Sequence, residues 1–202
     1  MVAIIDYGVG NLFSLRSSFA ALGIPAEVSA DPAVLRQADR LILPGVGAFS
    51  DAAKKLREQG LSDFVREEAA AGKPILGICL GMQLLFDRSF EYGVHEGLSL
   101  IPGEVTAMRG RVPAELKIPA MGWNALHFVK ESPIFKYVNE GDCVYFVHSY
   151  SAVGCDQDTT AVVEYGVPIT ASVQRGNVFG CQFHPEKSGN VGLGILQAFS
   201  EI

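Results

Sequence analysis

The sequence predicts an α/β protein built on a doubly wound, mixed and mainly parallel sheet with antiparallel edge strands and flanking helices. In the first half, short apolar segments alternate with amphipathic ones, which is the pattern of repeated strand–helix units. In the second half, apolar segments separated by glycine, proline and polar turns predict further strands, which fit an antiparallel edge. A chain of 202 residues has the length of one ordinary domain. We therefore expect residues 1–202 to form a single domain.

The first half supplies the predicted parallel strands and three of the helices. Four short apolar segments end at glycine, proline or polar residues, as strands do; they are residues 2–5, 26–29, 40–43 and 74–78. Apolar residues recur at helical spacing elsewhere, and the helices predicted from them are residues 10–22, 48–59 and 61–71. The carboxyl ends of strands in such sheets gather the reactive groups, so we expect the site at that edge.

The second half is predicted to be mostly β. Six apolar segments are separated by turn residues; they are residues 104–108, 125–129, 143–148, 160–165, 170–174 and 178–183. A helix over residues 192–199 is predicted to close the fold.

The composition excludes several classes of function. With 49% hydrophobic and 19% charged residues, the chain is typical of a folded globular protein. No apolar segment reaches the roughly 18 residues of a membrane-spanning helix, and the first residues lack the basic start of a signal peptide. A net charge of −6 argues against nucleic-acid binding, which needs a basic surface. We expect a cytoplasmic protein that binds neither membranes nor nucleic acids.

Neither a nucleotide cofactor nor a metal is predicted. Gly8 and Gly10 follow the first strand, but Phe13 stands where a dinucleotide-binding loop has its third glycine. Cys181 and His184 have a spacing that zinc ligands use, but no second ligand pair accompanies them. The four cysteines include no C-x-x-C pair, so reduced thiols are the simplest explanation.

The segment from Gly77 to Gly81, with the sequence GICLG, predicts a reactive cysteine. It lies between a predicted buried strand and a predicted helix, and its G-x-C-x-G form is that of a nucleophile elbow. Glycine is needed at 77 and 81 because a larger side chain would collide with nearby backbone in so sharp a turn. The turn places Cys79 at a helix N-terminus, where unpaired N–H groups favour the thiolate that attacks carbon.

His184 and Glu186 form the second predicted part of the site. In an extended segment, residues two apart point to the same side, and Pro185 favours that conformation for His184. A carboxylate beside one imidazole nitrogen fixes the tautomer, so that the other nitrogen serves as a base. Each motif alone is equally consistent with a structural role, as a buried cysteine in a turn and a surface H-P-E segment. Their presence in one chain favours catalysis.

With these motifs the chain resembles the class I, triad-type glutamine amidotransferases. Longer segments are similar to one branch of that family, the glutaminase subunit of imidazole glycerol phosphate synthase, called HisH. These segments are residues 6–12 (DYGVGNL), 44–49 (PGVGAF), 121–124 (MGWN), 145–150 (YFVHSY) and 184–189 (HPEKSG). Together they span nearly the whole chain in the order of the family.

The resemblance implies roles for particular residues. Cys79, His184 and Glu186 would form the catalytic triad, and the backbone N–H groups of Val46 and Leu80 would form the oxyanion hole. Residues expected to bind glutamine are Gly45, Gly47, Gln83, Ser149 and Tyr150. Residues expected to contact a partner are Val9, Asn11, Met121, Trp123, Tyr145 and Lys187.

The implied activity is hydrolysis of L-glutamine to glutamate and ammonia through a γ-glutamyl thioester, without a cofactor. The ammonia would pass to a separate (β/α)8-barrel cyclase subunit, in a heterodimer that makes imidazole glycerol phosphate and AICAR from PRFAR in histidine biosynthesis. This chain is too short to contain such a barrel, which needs about 250 residues. The alternatives are a glutaminase subunit of another amidotransferase, a related α/β cysteine hydrolase acting on peptides or glycated groups, and a docking subunit without activity.

Overall fold

The computed structural model describes residues 1–202 and contains one large mixed sheet with helices on both faces. The strands are β1 (Val2–Ile5), β2 (Ala26–Ser29), β3 (Arg40–Leu43), β4 (Ile75–Ile78), β5 (Arg88–Ser89), β6 (His95–Glu96), β7 (Glu104–Ala107), β8 (Ala120–Ala125), β9 (His127–Phe128), β10 (Cys143–His148), β11 (Tyr150–Val153), β12 (Thr159–Glu164), β13 (Pro168–Arg175) and β14 (Val178–Cys181). The helices are α1 (Leu12–Ala21), α2 (Pro32–Arg36), α3 (Phe49–Glu58), α4 (Leu61–Ala70), α5 (Leu80–Leu84) and α6 (Gly189–Ser200).

The large sheet has the strand order β2-β1-β3-β4-β14-β13-β12-β9. Its first five strands are parallel, and β13, β12 and β9 continue it in antiparallel fashion. The predicted fold class is therefore confirmed: the sheet is parallel at its centre, with antiparallel strands at one edge. Two smaller sheets, β10-β8 and β11-β7-β5-β6, lie beside it.

The core follows from the alternation of side chains along buried strands. In β1, Val2 and Ile4 pack on one face of the large sheet, with α1 and α6. Ala3 and Ile5 pack on the opposite face, with α2, α3 and α4. Because both faces of the sheet are covered, the central strands consist of consecutive apolar residues, without the alternation of apolar and polar residues that a half-exposed strand shows. None of the six helices combines the length and the apolar character needed to span a membrane.

Most predicted elements have bounds within a few residues of those observed, and two regions differ. The proline and glycine in residues 119–124 argue against a core strand there, but residues 120–125 form β8, which pairs with β10. The strand predicted over residues 125–129 is reduced to the two residues of β9. The short elements α2, β5, β6 and β11 were not predicted, because they are too short to show a periodic pattern.

The parallel register determines where the site forms. Leu43 is aligned with Gly77, and Ile78 is aligned with Cys181. The residues that follow β1, β3, β4 and β14 therefore emerge together at one edge of the sheet. These are the segments that contain the predicted site residues.

Candidate active site

Cys79 occupies a strained turn between β4 and α5. Its backbone has φ 55° and ψ −109°, a combination that non-glycine residues rarely adopt and that is typical of functional sites. A Cβ at Gly77 would lie 2.7 Å from the Gly81 carbonyl oxygen, and one at Gly81 would lie 1.8 Å from the Leu43 carbonyl oxygen. Both glycines are thus required by close backbone approach, as the sequence predicted. The surrounding structure holds the Cys79 side chain at the mouth of a pocket, with only 7% of the residue exposed.

The glycine loop after β3 packs directly against this turn. A Cβ at Gly45 would lie 2.6 Å from the backbone nitrogen of Gly81 and 2.9 Å from Cβ of Leu80. The loop is anchored at its start because the buried Tyr7 hydroxyl donates to the Pro44 carbonyl at 2.6 Å. Leu80, as the first residue of α5, has an N–H group with no carbonyl four residues back inside the helix. The turn and the loop therefore bring two backbone segments to the neighbourhood of the Cys79 sulfur.

His184 and Glu186 form a buried pair beside Cys79. The His184 Nδ1 lies 2.8 Å from the Glu186 Oε1, and their side chains are 2% and 1% exposed. A carboxylate accepts, so Nδ1 carries the proton and Nε2 is left for Cys79. Asn11 also donates to Oε1, at 2.9 Å. The backbone of His184 is fixed as well, because its N–H donates to the Tyr145 carbonyl and its carbonyl accepts from the Ser188 hydroxyl.

Electrostatics favour a charged pair at this position. Burial disfavours protonated His184, but hydrogen bonds to Cys79 and Glu186 outweigh it and raise the pKa of His184 to about 9. Burial likewise opposes ionised Glu186, yet the contacts with His184 and Asn11 keep the pKa of this carboxyl below its usual range. Glu186 is therefore ionised and His184 holds its proton at neutral pH. An imidazolium next to a cysteine stabilises the thiolate form of that cysteine.

A cavity of about 340 Å³ opens onto these groups. It contains most of the residues predicted for catalysis, the oxyanion hole and glutamine binding; they are Val46, Gly47, Cys79, Leu80, Gln83, Ser149, Tyr150 and His184. Gly45 does not line the cavity and is buried beneath it against α5. A larger cleft of about 680 Å³, lined by residues 128–136 with Gln174, contains none of the predicted site residues.

Two residues of the site were not predicted from the sequence. Glu91 is the only acidic residue lining the cavity, and one of its oxygens accepts from the Phe49 N–H at 2.6 Å. Gln182 is fully buried behind Cys79, with its Nε2 3.8 Å from the sulfur. Neither residue belongs to a recognisable catalytic or binding motif in the sequence. The only sequence feature that could have indicated a role in the site is the position of Gln182, two residues before His184.

His148 is buried in the cavity wall and is held neutral. Burial lowers the pKa of His148 to about 4, with nearby His184 adding to the effect. Its Nδ1 lies 2.9 Å from the Tyr150 carbonyl, which must be the acceptor. This geometry is that of a hydrogen-bonded histidine at the end of strand β10.

The residues predicted to contact a partner divide into two groups. Met121 and Trp123 lie on one face of β8 and are 62% and 54% exposed. Trp123 is paired with Tyr145 of β10 and packs against its ring at a centroid distance of 6.1 Å, while the Lys187 Nζ lies 5.9 Å from the same ring. We call Met121, Trp123, Tyr145 and Lys187 the outer face.

Asn11 and Val9 differ from the outer face. Asn11 is half-buried because its amide supports Glu186. Val9 is half-buried too, and it packs against the core beneath α3. The glycine and proline near Trp123 in the sequence predict an exposed side chain. It is exposed, but the reason is its position on the open face of a two-stranded sheet.

This fold, together with a Cys-His-Glu cluster at the carboxyl edge of the sheet, is that of a triad-type α/β amidohydrolase. A family model described as "Glutamine amidotransferase class-I" matches residues 3–199. Among solved structures, "Crystal structure of glutamine amidotransferase" has a TM-score of 0.76 at 20% identity over 98% of each chain. "Structure of PurLQS from Thermotoga maritima" has the same TM-score and identity over 99% of this chain and 97% of the other. At such identities these two matches show the fold alone.

Curated relatives are much closer in sequence. "Imidazole glycerol phosphate synthase subunit HisH" of Moorella thermoacetica is 48% identical over all of this chain and 94% of the relative. The protein of the same name from Lactococcus lactis is 49% identical over 99% of this chain and 98% of the relative. The chain therefore belongs to the class-I glutamine amidotransferases and, within them, to the HisH group.

Proposed function

We propose that this chain, acting as one domain over residues 1–202, is the glutaminase subunit of an imidazole glycerol phosphate synthase. It hydrolyses L-glutamine and supplies ammonia to a cyclase subunit. The observation that carries the proposal is the buried cluster of Cys79, His184 and Glu186, of which Cys79 and His184 line the 340 Å³ cavity. The name shared by full-length relatives at 48% and 49% identity supports the choice of synthase.

In the proposed reaction, the Cys79 thiolate attacks the side-chain amide carbon of glutamine. The N–H groups of Leu80 and Val46 donate to the developing oxyanion, and each such donor is worth about 10²–10³ in rate. His184 transfers its proton to the departing ammonia, which leaves a γ-glutamyl thioester on Cys79. His184 then takes a proton from water, and the resulting hydroxide releases glutamate. Glu186 stays ionised throughout and stabilises the imidazolium.

The rest of the cavity is suited to the backbone end of glutamine. The carboxylate of Glu91 would attract the α-ammonium group, since it is the acidic residue on the cavity wall. Ser149 and Tyr150 would help to hold the α-amino and α-carboxylate groups of the substrate, as the resemblance implies. Gln83 has a smaller part than predicted, because its Nε2 already donates to the Tyr150 carbonyl and to Gln182, each at 3.1 Å. Only its Oε1 is left to face the substrate.

The proposed partner is a (β/α)8-barrel cyclase subunit that binds the outer face. Exposed tryptophan is the residue most often found as an interface hot spot, and Trp123 lies among Met121, Tyr145 and Lys187. Tyr145 links this surface to the site, because its carbonyl accepts from the His184 N–H at 3.0 Å. The reducing cytoplasm predicted from the sequence would keep the Cys79 thiol free.

The test is labelling with a glutamine-mimicking electrophile, followed by mass spectrometry and a glutamate assay. One adduct on Cys79, loss of glutaminase activity and protection by glutamine are expected. Co-purification with a barrel cyclase, and ammonia-dependent formation of imidazole glycerol phosphate by the pair, test the choice of synthase. A labelled Cys79 with no response to glutamine would contradict the substrate, and a different co-purifying synthase would contradict the pathway.

A further inference from the structure

Gln182 is a buried polar residue next to the Cys79 sulfur. It follows β14, the strand parallel to β4, so it emerges beside Cys79 at the edge of the sheet. Its side chain is completely buried. A buried amide must find hydrogen-bond partners, since each unsatisfied group costs roughly 1–3 kcal/mol.

The direction of the Gln182 amide is fixed by its neighbours. The Tyr150 carbonyl can only accept, so the group of Gln83 that lies 3.1 Å from it is the NH2. The same NH2 lies 3.1 Å from Gln182, which must therefore present its oxygen. The NH2 of Gln182 consequently faces the Cys79 sulfur, at 3.8 Å, a distance suited to an N–H donor and a large sulfur atom.

We propose that Gln182 donates an N–H to the sulfur of Cys79 and holds the thiolate in position for attack, with Gln83 and the Tyr150 carbonyl setting the direction of that donor. This inference rests on the proposed function, because it assigns Gln182 a part in the chemistry of Cys79. A hydrogen bond to a charged acceptor is roughly twice as strong as a neutral one. Gln182 thus stabilises the ionised sulfur from the sheet side, in addition to His184.

The hydrogen bonds from Gln182 through Gln83 to the Tyr150 carbonyl also connect the Cys79 sulfur to the cavity wall. The Tyr150 carbonyl accepts from both Gln83 and His148, and Tyr150 itself lines the cavity. A shift of this strand end would redirect the Gln83 amide and, through it, the donor on the sulfur.

The test is the pH dependence of Cys79 alkylation by iodoacetamide, in a Cys143→Ala background that removes the exposed thiol. Gln182→Met keeps the side-chain length without donor or acceptor, and Gln182→Leu removes both groups in a shorter, uncharged side chain. Neither variant adds or removes a titratable group around Cys79: Tyr7 and His184 interact with Cys79, and Glu91 and His148 line the same cavity. Glu186 contacts His184, and the Cys181 carbonyl accepts from the Cys79 N–H. Both variants should lower the alkylation rate at pH 7 about tenfold and move the midpoint of the profile to higher pH.

Gln174→Met is the matched control. Gln174 lies on the neighbouring strand β13, where its amide accepts from Ser132 and makes no contact with Cys79. Its profile should match that of the background protein. The proposal would be overturned if the alkylation profiles of both Gln182 variants coincided with that of the control. In that case the Gln182 side chain would contribute only packing, which affects stability but not the pH dependence of Cys79 alkylation.

A measurement on the unaltered Gln182 covers the case in which its variants do not fold. The side-chain NH2 resonances of Gln182, observed by 15N NMR, should titrate together with Cys79 and stop doing so in Cys79→Ser. Resonances that do not respond to Cys79 would contradict the donor role. Failure of the proposed function looks different, because Cys79 would then be alkylated without glutamine protecting it, whatever the residue at 182.

Discussion

The buried edge of the sheet and the outer face are built on opposite principles. At the buried edge each reactive group is held by several contacts: Glu186 by His184 and Asn11, and Cys79 by two glycines that admit no side chain. On the outer face, Met121 and Trp123 are more than half exposed and are held mainly by strand pairing. The comparison indicates that the reactive groups depend on restriction within the chain, whereas the outer face, which we propose as the partner surface, is left open.

The largest effect is expected at the nucleophile. Cys79→Ala should reduce glutaminase activity about 10⁴-fold or more, since triad residues act as a unit. Ammonium-dependent synthesis by the assembled complex should persist, because in the proposed function the second reaction takes place on the partner subunit. Cys143→Ala, which removes an exposed thiol, is the control in both assays. Loss of synthesis in the presence of ample ammonium salt would contradict the division of labour.

The next effect concerns the loop after β3. We expect isolated-chain activity to be low and to rise when the partner binds its own substrate, with the Gly45–Val46 peptide as the switch. Gly45→Ala places a methyl group 2.6 Å from the Gly81 nitrogen, which forces the loop away from Leu80 and spreads the two oxyanion donors. The stimulated rate should fall about 10²–10³-fold, and the basal rate less. Steady-state assays with and without the liganded partner measure both, and equal turnover in the two conditions would rule the switch out.

Variants of the outer face should weaken association with the partner. Trp123→Ala is expected to cost about 2 kcal/mol of binding, and Lys187→Ala less, because a charge at a rim contributes little. Titration calorimetry with the cyclase measures both. The thermal midpoint of the isolated chain should hardly change, since Trp123 is 54% exposed. If both variants bound the cyclase with wild-type affinity, the outer face would not be the surface that binds the partner.

Asn11 distinguishes the two regions most sharply, because it was predicted for the interface and supports Glu186. Asn11→Ala removes one of the two contacts to Oε1 of a carboxylate whose other oxygen, Oε2, is buried without a hydrogen-bond partner. We expect about a tenfold loss of kcat with little change in KM. Asn11→Asp places a carboxylate against Glu186 and should be worse. A normal kcat together with weakened partner binding would instead indicate that Asn11 acts in partner binding, as the resemblance implies.

The smallest expected effect is on stability and depends on pH. The pKa of His184 is raised from 6.5 to about 9, so its contribution is complete below pH 6.5 and is lost as the pH rises through about 9. The pKa of Glu186 is lowered in the folded protein. Its contribution to stability is therefore present at pH values above the pKa of the unfolded chain, and it is lost as the pH falls through the lower pKa of the folded protein. The stability difference between wild type and Glu186→Gln should therefore be widest near pH 6. Chemical unfolding at several pH values measures it, and a difference that grows above pH 9 would contradict the ion pair.

The sequence predicted what depends on local pattern. The parallel strands and the elbow at Cys79 follow from apolar periodicity and from the glycine spacing at 77 and 81. Residues whose role arises from distant contacts could not be predicted in this way. Glu91 meets Phe49, and Gln182 meets Cys79, across large separations in the chain. Strand β8 was missed because Gly122 and exposed apolar residues on its open face obscure the usual strand pattern.

The 1.8 Å separation between a hypothetical Cβ on Gly81 and the Leu43 carbonyl also bears on redesign of the site. Residues 43–47 and 77–81 are interlocked, so neither segment tolerates replacement without the other. The wall that carries Glu91 and Tyr150 is linked to these segments by hydrogen bonds and not by glycines that admit no Cβ: the Phe49 N–H donates to Glu91, and Gln83 donates to the Tyr150 carbonyl. Substitutions of its side chains leave that carbonyl in place. An engineer who wants a different amide substrate should therefore transplant the two interlocked segments unchanged and vary that wall alone.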